Sequence, residues 1–155
     1  MSAQLNIFPD DEPAEALSDI DRIQGNRSAL AAEHLVCAHL LSEGFDAFLV
    51  GAANRPYDVL IDTGNLFRLQ VKSNVQRLKH FPAHYRFGLG AAQQNGGLAA
   101  YKGKVDGFAF VALDIRRIIY LHVDAITTKS ISFTQQDFAS KETPSWNHLK
   151  SLLKL

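Results

Sequence analysis

The sequence predicts a single α/β domain in which helices flank a mixed β-sheet. Apolar and polar residues alternate on both sides of Gly64-Asn65, which is the pattern of two half-buried strands joined by a turn. Two apolar segments rich in β-branched and aromatic residues, 105–113 and 117–123, are separated by three residues and extend the sheet. Helix-forming residues at 29–41 precede both of these predicted strand pairs. A chain of 155 residues is long enough to form one hydrophobic core.

The predicted helix carries one acid in its middle, Glu33. Asn26 and Ser28 are suitable N-terminal cap residues, and Gly44 is a suitable stop, so the helix is expected to begin near residue 29. The helix is apolar over much of its surface. Glu33 is therefore either a solvated glutamate on the outer face or an acid that belongs to a site.

The register of the hairpin decides which side chains share a face of the sheet. With a three-residue loop at 63–65, residue 62 faces 66, 60 faces 68, and Asp58 faces Gln70. Lys72 then follows on the same face, about 6.6 Å further along the strand. A two-residue Gly-Asn loop is the alternative. It would send Asp58 and Gln70 to opposite faces.

Asp58, Gln70 and Lys72 together have the chemistry needed to hydrolyse a phosphodiester. Magnesium prefers hard oxygen ligands, which the Asp58 carboxylate, the Gln70 amide and the Val71 carbonyl provide. Such an ion activates water and neutralises charge on phosphorus. Lys72 could orient or deprotonate the water, or stabilise the phosphorane.

These residues resemble the PD-(D/E)XK nuclease superfamily, in particular the branch associated with group I introns, whose second motif is Gln-x-Lys. The similarity spans about residues 25–124 and includes the following motif residues: Gly25, Glu33, Tyr57-Asp58, Gln70-Val71-Lys72 and Tyr101-x-x-x-x-Asp106. Gln70 departs from the superfamily pattern, which has a carboxylate at this position. The resemblance implies a restriction-endonuclease-like fold, Glu33 as a metal-site acid, packing or positioning roles for Tyr101 and Asp106, and symmetric dimers or tetramers.

Charge is distributed unevenly along a chain whose total is neutral, with sixteen basic and sixteen acidic residues. Residues 63–105 contain no acid, which suits contact with a phosphate backbone. Besides Lys72, the predicted DNA-binding residues in this segment are Arg68, Arg77, Lys79, Arg86, Lys102 and Lys104. An ordinary solvated surface is the alternative interpretation.

Residues 1–24 are predicted to form an acidic extension, flexible or loosely helical, that precedes a nuclease-like domain at 25–155. Six acids and no lysine or arginine lie in residues 1–21. Within the extension, Gln4, Leu5, Ile7 and Phe8 resemble the short peptide by which bacterial replication and repair proteins bind the sliding clamp. A tail without a partner is the alternative.

Several other classes are disfavoured. Gly88-Leu89-Gly90 lacks the third glycine of a dinucleotide site, and His80 and His84 are separated by Pro82, which argues against a zinc helix. A single cysteine indicates a reducing compartment, and no apolar run approaches a membrane span, so a cytoplasmic protein is expected. Residues 146–155 have helical apolar spacing and predict either a helix that covers the sheet or a subunit contact.

The sequence therefore predicts a DNA endonuclease that depends on Mg²⁺ or Mn²⁺ and cuts double-stranded or branched DNA. Two alternatives remain open. One is a DNA-binding protein of the same fold without catalysis, which the neutral Gln70 favours. The other is a junction-resolving or clamp-recruited repair nuclease.

Overall fold

The computed structural model describes residues 14–51, 54–75, 84–89, 101–139, 150 and 153. Its elements, in chain order, are α1 (Ala14–Ser42), β1 (Asp46–Leu49), β2 (Val59–Asp62), β3 (Leu66–Asn74), β4 (His84–Gly88), β5 (Gly107–Ala112), β6 (Arg117–His122), a 3₁₀ turn (Val123–Ala125), β7 (Ser130–Thr134) and α2 (Gln135–Ala139). None of the helices in this described part combines the length and apolarity needed to cross a bilayer.

The central sheet has five strands in the order β1-β2-β3-β5-β6. The β3-β5 pair is parallel, and the other neighbours are antiparallel, so the sheet is mixed as predicted. β4 and β7 form a separate antiparallel pair. The predicted strands on either side of residues 114–116 are β5 and β6, and they pair directly.

The hairpin between β2 and β3 has the predicted three-residue loop. Asp62 pairs with Leu66 and Val59 pairs with Leu69. Gly64 has a φ of 89°, which glycine adopts without a steric penalty, and its N–H donates to the Asp62 carboxylate at 2.9 Å. This register rules out the two-residue alternative and puts Asp58 beside Gln70.

The sheet is covered on both faces. On one face, α1 contributes Ala32, Val36 and Leu40 to a core with side chains from β2, β3 and β5, and Leu153 is buried in the same core. On the other face, aromatic residues of β4, β7 and α2 pack on β5, with the Phe87 and Phe110 rings 5.2 Å apart. Alternate residues of β3 and β5 therefore face different layers, and Gln70 and Lys72 point away from α1's core residues.

The predicted start of the first helix is wrong. Instead of beginning near residue 29, α1 begins at Ala14 and continues through Gly25 to Ser42. A glycine inside a helix costs about 1 kcal/mol, which good helix formers on both sides can offset. Asn26 and Ser28 thus lie inside a helix rather than at its cap. The helix crosses the predicted boundary at residue 24, and residues 1–13 lie outside the described residues.

Two elements near the end of the chain were not predicted from the sequence, namely β7 and α2. Thr134 begins α2 in the manner of a cap: its hydroxyl and backbone N–H both donate to Asp137 Oδ2, and the Asp137 N–H donates back. The predicted helix at 146–155 lies outside the described residues except for Lys150, which is helical, and Leu153.

Candidate functional site

The side chains of Asp58 and Gln70 meet at the start of β2. Asp58 Oδ2 accepts two hydrogen bonds, from Gln70 Nε2 at 2.7 Å and from the Val71 backbone N–H at 2.8 Å. Gln70 Nε2 also lies 3.2 Å from the Val71 carbonyl oxygen. The Asp58 N–H donates to the carbonyl of Leu69, the residue that pairs with Val59, and so holds the backbone of Asp58 against β3.

Lys72 follows on β3 and is held by a tyrosine from the segment before β5. Its Nζ lies 3.0 Å from the Tyr101 hydroxyl and 5.3 Å from the centre of the ring. Tyr101 is almost completely buried, with 6% of its surface exposed. The ammonium group therefore has a defined position beside a rigid aromatic side chain. Sequence reasoning gave Tyr101 a packing or positioning role but did not identify this contact.

Glu33 on α1 lies within electrostatic reach of Asp58. Desolvation raises the pKa of the half-buried Glu33 carboxyl, and the negative charge of Asp58 raises it further. Asp58 therefore lies within reach of Glu33 on α1 and of Gln70 and Lys72 on β3. The joint role of these four side chains in one site stays a prediction.

Burial has the largest effect on the protonation of Asp58. Desolvation raises its pKa above 3.8, although the Val71 hydrogen bond, the Lys72 charge and the Gln70 hydrogen bond all act in the opposite direction. A buried carboxylate that is harder to ionise in the folded protein is a cost to folding at neutral pH.

Replacing Asp58 by Asn is therefore expected to stabilise the protein at pH 7. Because its pKa is higher in the folded than in the unfolded chain, the cost is full above the folded pKa and disappears as the pH falls towards 3.8. The advantage of Asp58→Asn in urea unfolding should thus shrink between pH 7 and pH 4. An advantage that grows on acidification would contradict this account.

The oxygen atoms around Asp58 partly fit the ligand set of a divalent metal ion. Asp58, Glu33 and the Val71 carbonyl supply hard donors of the kind that magnesium prefers. The Gln70 amide nitrogen, however, lies between the Asp58 and Val71 oxygens, so Gln70 could act as a ligand only after its amide group turns over. Within the described residues, no group of three or more His, Cys, Asp or Glu is arranged to hold a metal.

Arg68 has a structural role in this fold, and its predicted contact with phosphate stays a prediction. Its Nε and Nη2 donate to the two Asp106 carboxylate oxygens at 2.9 and 3.0 Å, and its backbone N–H donates to Asp106 Oδ2. Desolvation opposes ionisation of Asp106, but the Arg68 hydrogen bonds and charge outweigh it and lower the pKa of this carboxyl. The pair anchors the start of β5, and Arg68 also donates to the Gly103 carbonyl.

Arg68→Ala is expected to lower the free energy of unfolding by about 1–3 kcal/mol, because it leaves the half-buried Asp106 carboxylate without its partner. Arg68→Lys should recover little, since an ammonium group cannot form the two-pronged contact. The matched control is Arg86→Ala at an exposed position of β4, which should change stability by less than about 0.5 kcal/mol. Equal losses in the two alanine variants, measured by urea unfolding, would contradict the structural role of Arg68.

The remaining predicted DNA-binding residues divide into two groups. Arg86, Lys102 and Lys104 are exposed, as contact with DNA requires. Arg77 and Lys79 lie outside the described residues, and so does the clamp-like motif Gln4, Leu5, Ile7 and Phe8.

The fold is shared with a bacterial homing endonuclease, I-Ssp6803I. The two structures have a TM-score of 0.60 at 16% sequence identity, over 82% of this chain and 89% of that one. A Holliday junction resolvase from Archaeoglobus fulgidus, Hjc, is similar at a TM-score of 0.47 and 16% identity, over 72% of this chain and 87% of that one, which is too distant to argue from.

Comparison at the level of sequence gives no relative. No family model matches the chain, and no curated protein matches it. Structural likeness at this identity shows the fold alone, so the function must be argued from the site.

Proposed function

We propose that this protein is a magnesium-dependent DNA endonuclease of the PD-(D/E)XK superfamily, in the branch associated with group I introns. The main support is the convergence of Asp58, Gln70 and Lys72: the first two are hydrogen-bonded at 2.7 Å, and the third lies two residues further on the same strand. The fold shared with a homing endonuclease supports the same conclusion.

In this proposal, Asp58, Gln70, Val71 and Glu33 would hold a metal ion. When bound, that ion would supply an activated water and neutralise charge on the phosphorus. The raised pKa values of Asp58 and Glu33 are consistent with this role, because a nearby divalent cation would favour the charged form of both acids. Turning of the Gln70 amide would direct its oxygen, in place of its nitrogen, towards the Asp58 side.

Lys72 is the proposed group that handles the nucleophile. Its Nζ is positioned by the Tyr101 hydroxyl, so it can orient the attacking water or stabilise negative charge on the phosphorane. Tyr101 is a positioning residue, because it acts through Lys72. The anchoring of the segment before β5 by Arg68 and Asp106 supports the same arrangement.

The exposed side chains of Arg86, Lys102 and Lys104 are the proposed contacts to phosphate, together with Arg77 and Lys79. Each lost contact should reduce the slope of log affinity against log salt concentration by about 1. The predicted clamp contact through the N-terminal motif, the assembly into dimers or tetramers, and the cytoplasmic location remain proposals from the sequence.

The test is a cleavage assay of the purified full-length chain on plasmid, linear duplex, single-stranded and four-way-junction DNA. Cleavage is expected with Mg²⁺ or Mn²⁺ and none with EDTA. Absence of cleavage on all four substrates would refute the enzyme proposal. Strong preference for the junction would favour a resolvase, and preference for duplex would favour the intron-associated branch.

A non-catalytic DNA-binding protein is the second candidate. The observation that favours it is the Gln70 amide nitrogen, which lies between Asp58 and Val71 and satisfies the same oxygens that a metal would use. This candidate predicts a gel shift that is independent of metal and no strand cleavage.

A further inference from the structure

A cavity of about 400 Å³ lies between the first half of α1 and the end of β3. Its lining residues are Gln24, Gly25, Ser28, Ser73, Asn74 and Val75. The volume is in the range of small-molecule binding sites. None of these six described residues belongs to the metal or DNA-binding residues discussed above.

The cavity exists because the apolar face of α1 ends where β3 ends. Leu40, Val36 and Ala32 recur at every fourth residue and are fully buried against the sheet. The next position in that series is Ser28, which is small, polar and only half-buried. On the strand side, Val71 is the last buried apolar residue, and Ser73 and Asn74 follow it. Among the described side chains of helix and strand, no apolar one fills the space that is left there.

The chemical character of the lining suits a nucleoside better than a phosphate. The six described lining residues carry no charge, whereas phosphate binding draws on lysine and arginine. Hydroxyl and amide groups both donate and accept hydrogen bonds, as the edges of bases require. Asn74 has a fixed orientation, because its amide donates to the Arg86 carbonyl at 3.0 Å. Val75, 51% exposed, offers an apolar surface for the face of a base or sugar.

The cavity is also close enough to Lys72 to receive a nucleotide that neighbours the cut phosphate. Of the two β3 residues that line it, Ser73 is on the face opposite Lys72, whereas Asn74 is on the same face as Lys72 and lies about 6.6 Å further along the strand. Successive nucleotides of one strand rise by about 3.4 Å. The part of the cavity that Asn74 lines is therefore about two nucleotides away from the phosphate that Lys72 would contact.

We propose that this cavity binds a single deoxynucleoside next to the cut phosphate, turned out of the base stack. The inference rests on the proposed endonuclease function and adds a subsite to it. A base enters such a cavity only when it leaves its neighbours, which costs least at a mismatch, an end or a branch. The protein should accordingly bind DNA of that kind more tightly than continuous duplex.

The test uses DNA that carries 2-aminopurine, a fluorescent base that brightens when it is unstacked, at successive positions. It is bound to the full-length protein with calcium in place of magnesium. A several-fold rise in fluorescence is expected at one or two adjacent positions. Filling the cavity by Ser28→Leu should remove the rise and weaken binding, measured by fluorescence anisotropy, by about tenfold.

Two further variants make the result decisive. Gly25→Leu fills the cavity from another position, and a Cβ atom there meets nothing within 4 Å, so folding should be preserved. Asn26→Leu is the control, since residue 26 is exposed and lies roughly 160° around the helix from residue 28. It should retain both the fluorescence rise and the affinity.

The outcomes separate this inference from the endonuclease proposal. If the protein cleaves DNA but both filling variants keep the fluorescence rise and the affinity, the subsite is wrong and the nuclease stands. If no DNA is cleaved, yet the rise occurs and both filling variants abolish it, the cavity binds a nucleoside and the nuclease proposal fails. No rise at any position, in a protein that binds the DNA, would overturn the inference.

Discussion

Replacing Asp58 by Asn is expected to lower the rate of DNA cleavage at least about 1,000-fold. The carboxylate is one of the two acids proposed to hold the metal, and an amide of the same shape can still accept the Val71 hydrogen bond. The fold should therefore survive while the charge that binds the metal is lost. Rates measured under single-turnover conditions on supercoiled plasmid would test the expectation.

The matched control for Asp58→Asn is Asp62→Asn on the same strand. Asp62 is exposed at the far end of β2, and its carboxylate accepts a hydrogen bond from Gly64 that an asparagine oxygen can also accept. This control should cut DNA at the parental rate. An Asp58→Asn variant that cuts as fast as the control would remove Asp58 from the mechanism. Its expected gain in stability at pH 7 provides an independent measure that the variant is folded.

Lys72→Met is expected to lower the cleavage rate by about 100- to 10,000-fold, because it removes the group proposed to act on the nucleophile. Methionine preserves much of the length of the side chain and its contact with the Tyr101 ring, so the loss would reflect the missing ammonium group. DNA affinity should change far less than the rate, which anisotropy measurements can establish.

Two further variants test whether the effect of Lys72→Met is specific to the position of its ammonium group. Lys104→Met removes an exposed positive charge and should leave the rate at saturating DNA unchanged. Tyr101→Phe keeps the ring but removes the hydroxyl that lies 3.0 Å from Lys72 Nζ, and a loss of about tenfold is expected. Equal effects of Lys72→Met and Lys104→Met on the rate would show that Lys72 contributes only charge.

The hairpin illustrates what could be predicted from the chain alone. Alternation of apolar and polar residues, together with a glycine turn, predicted the register, and that register brings Asp58 next to Gln70. Both signals are local, since they depend on residues within one turn and two short strands. The mixed sheet and the β5-β6 pair were predicted for the same reason.

Arg68 illustrates what could not be predicted. In sequence it is one of seven bases in a segment without acids, and contact with phosphate was the natural expectation. Its partner, Asp106, lies 38 residues away and meets it only because β3 and β5 pair in parallel. The start of the first helix was predicted wrongly for a different reason. Gly25 and the cap residues after it are weak signals of a helix boundary, and the helix formers that precede them extend the helix back to Ala14.

By itself the sequence determined the hairpin and the face of β3 that Gln70 and Lys72 share, because side-chain direction along a strand follows from a period of two. The tertiary structure alone decided that Tyr101 holds Lys72, that Asp106 neutralises Arg68, and that a cavity lies between α1 and the end of β3. Each of these depends on residues far apart in the chain, and local patterns carry no information about which of them pack together.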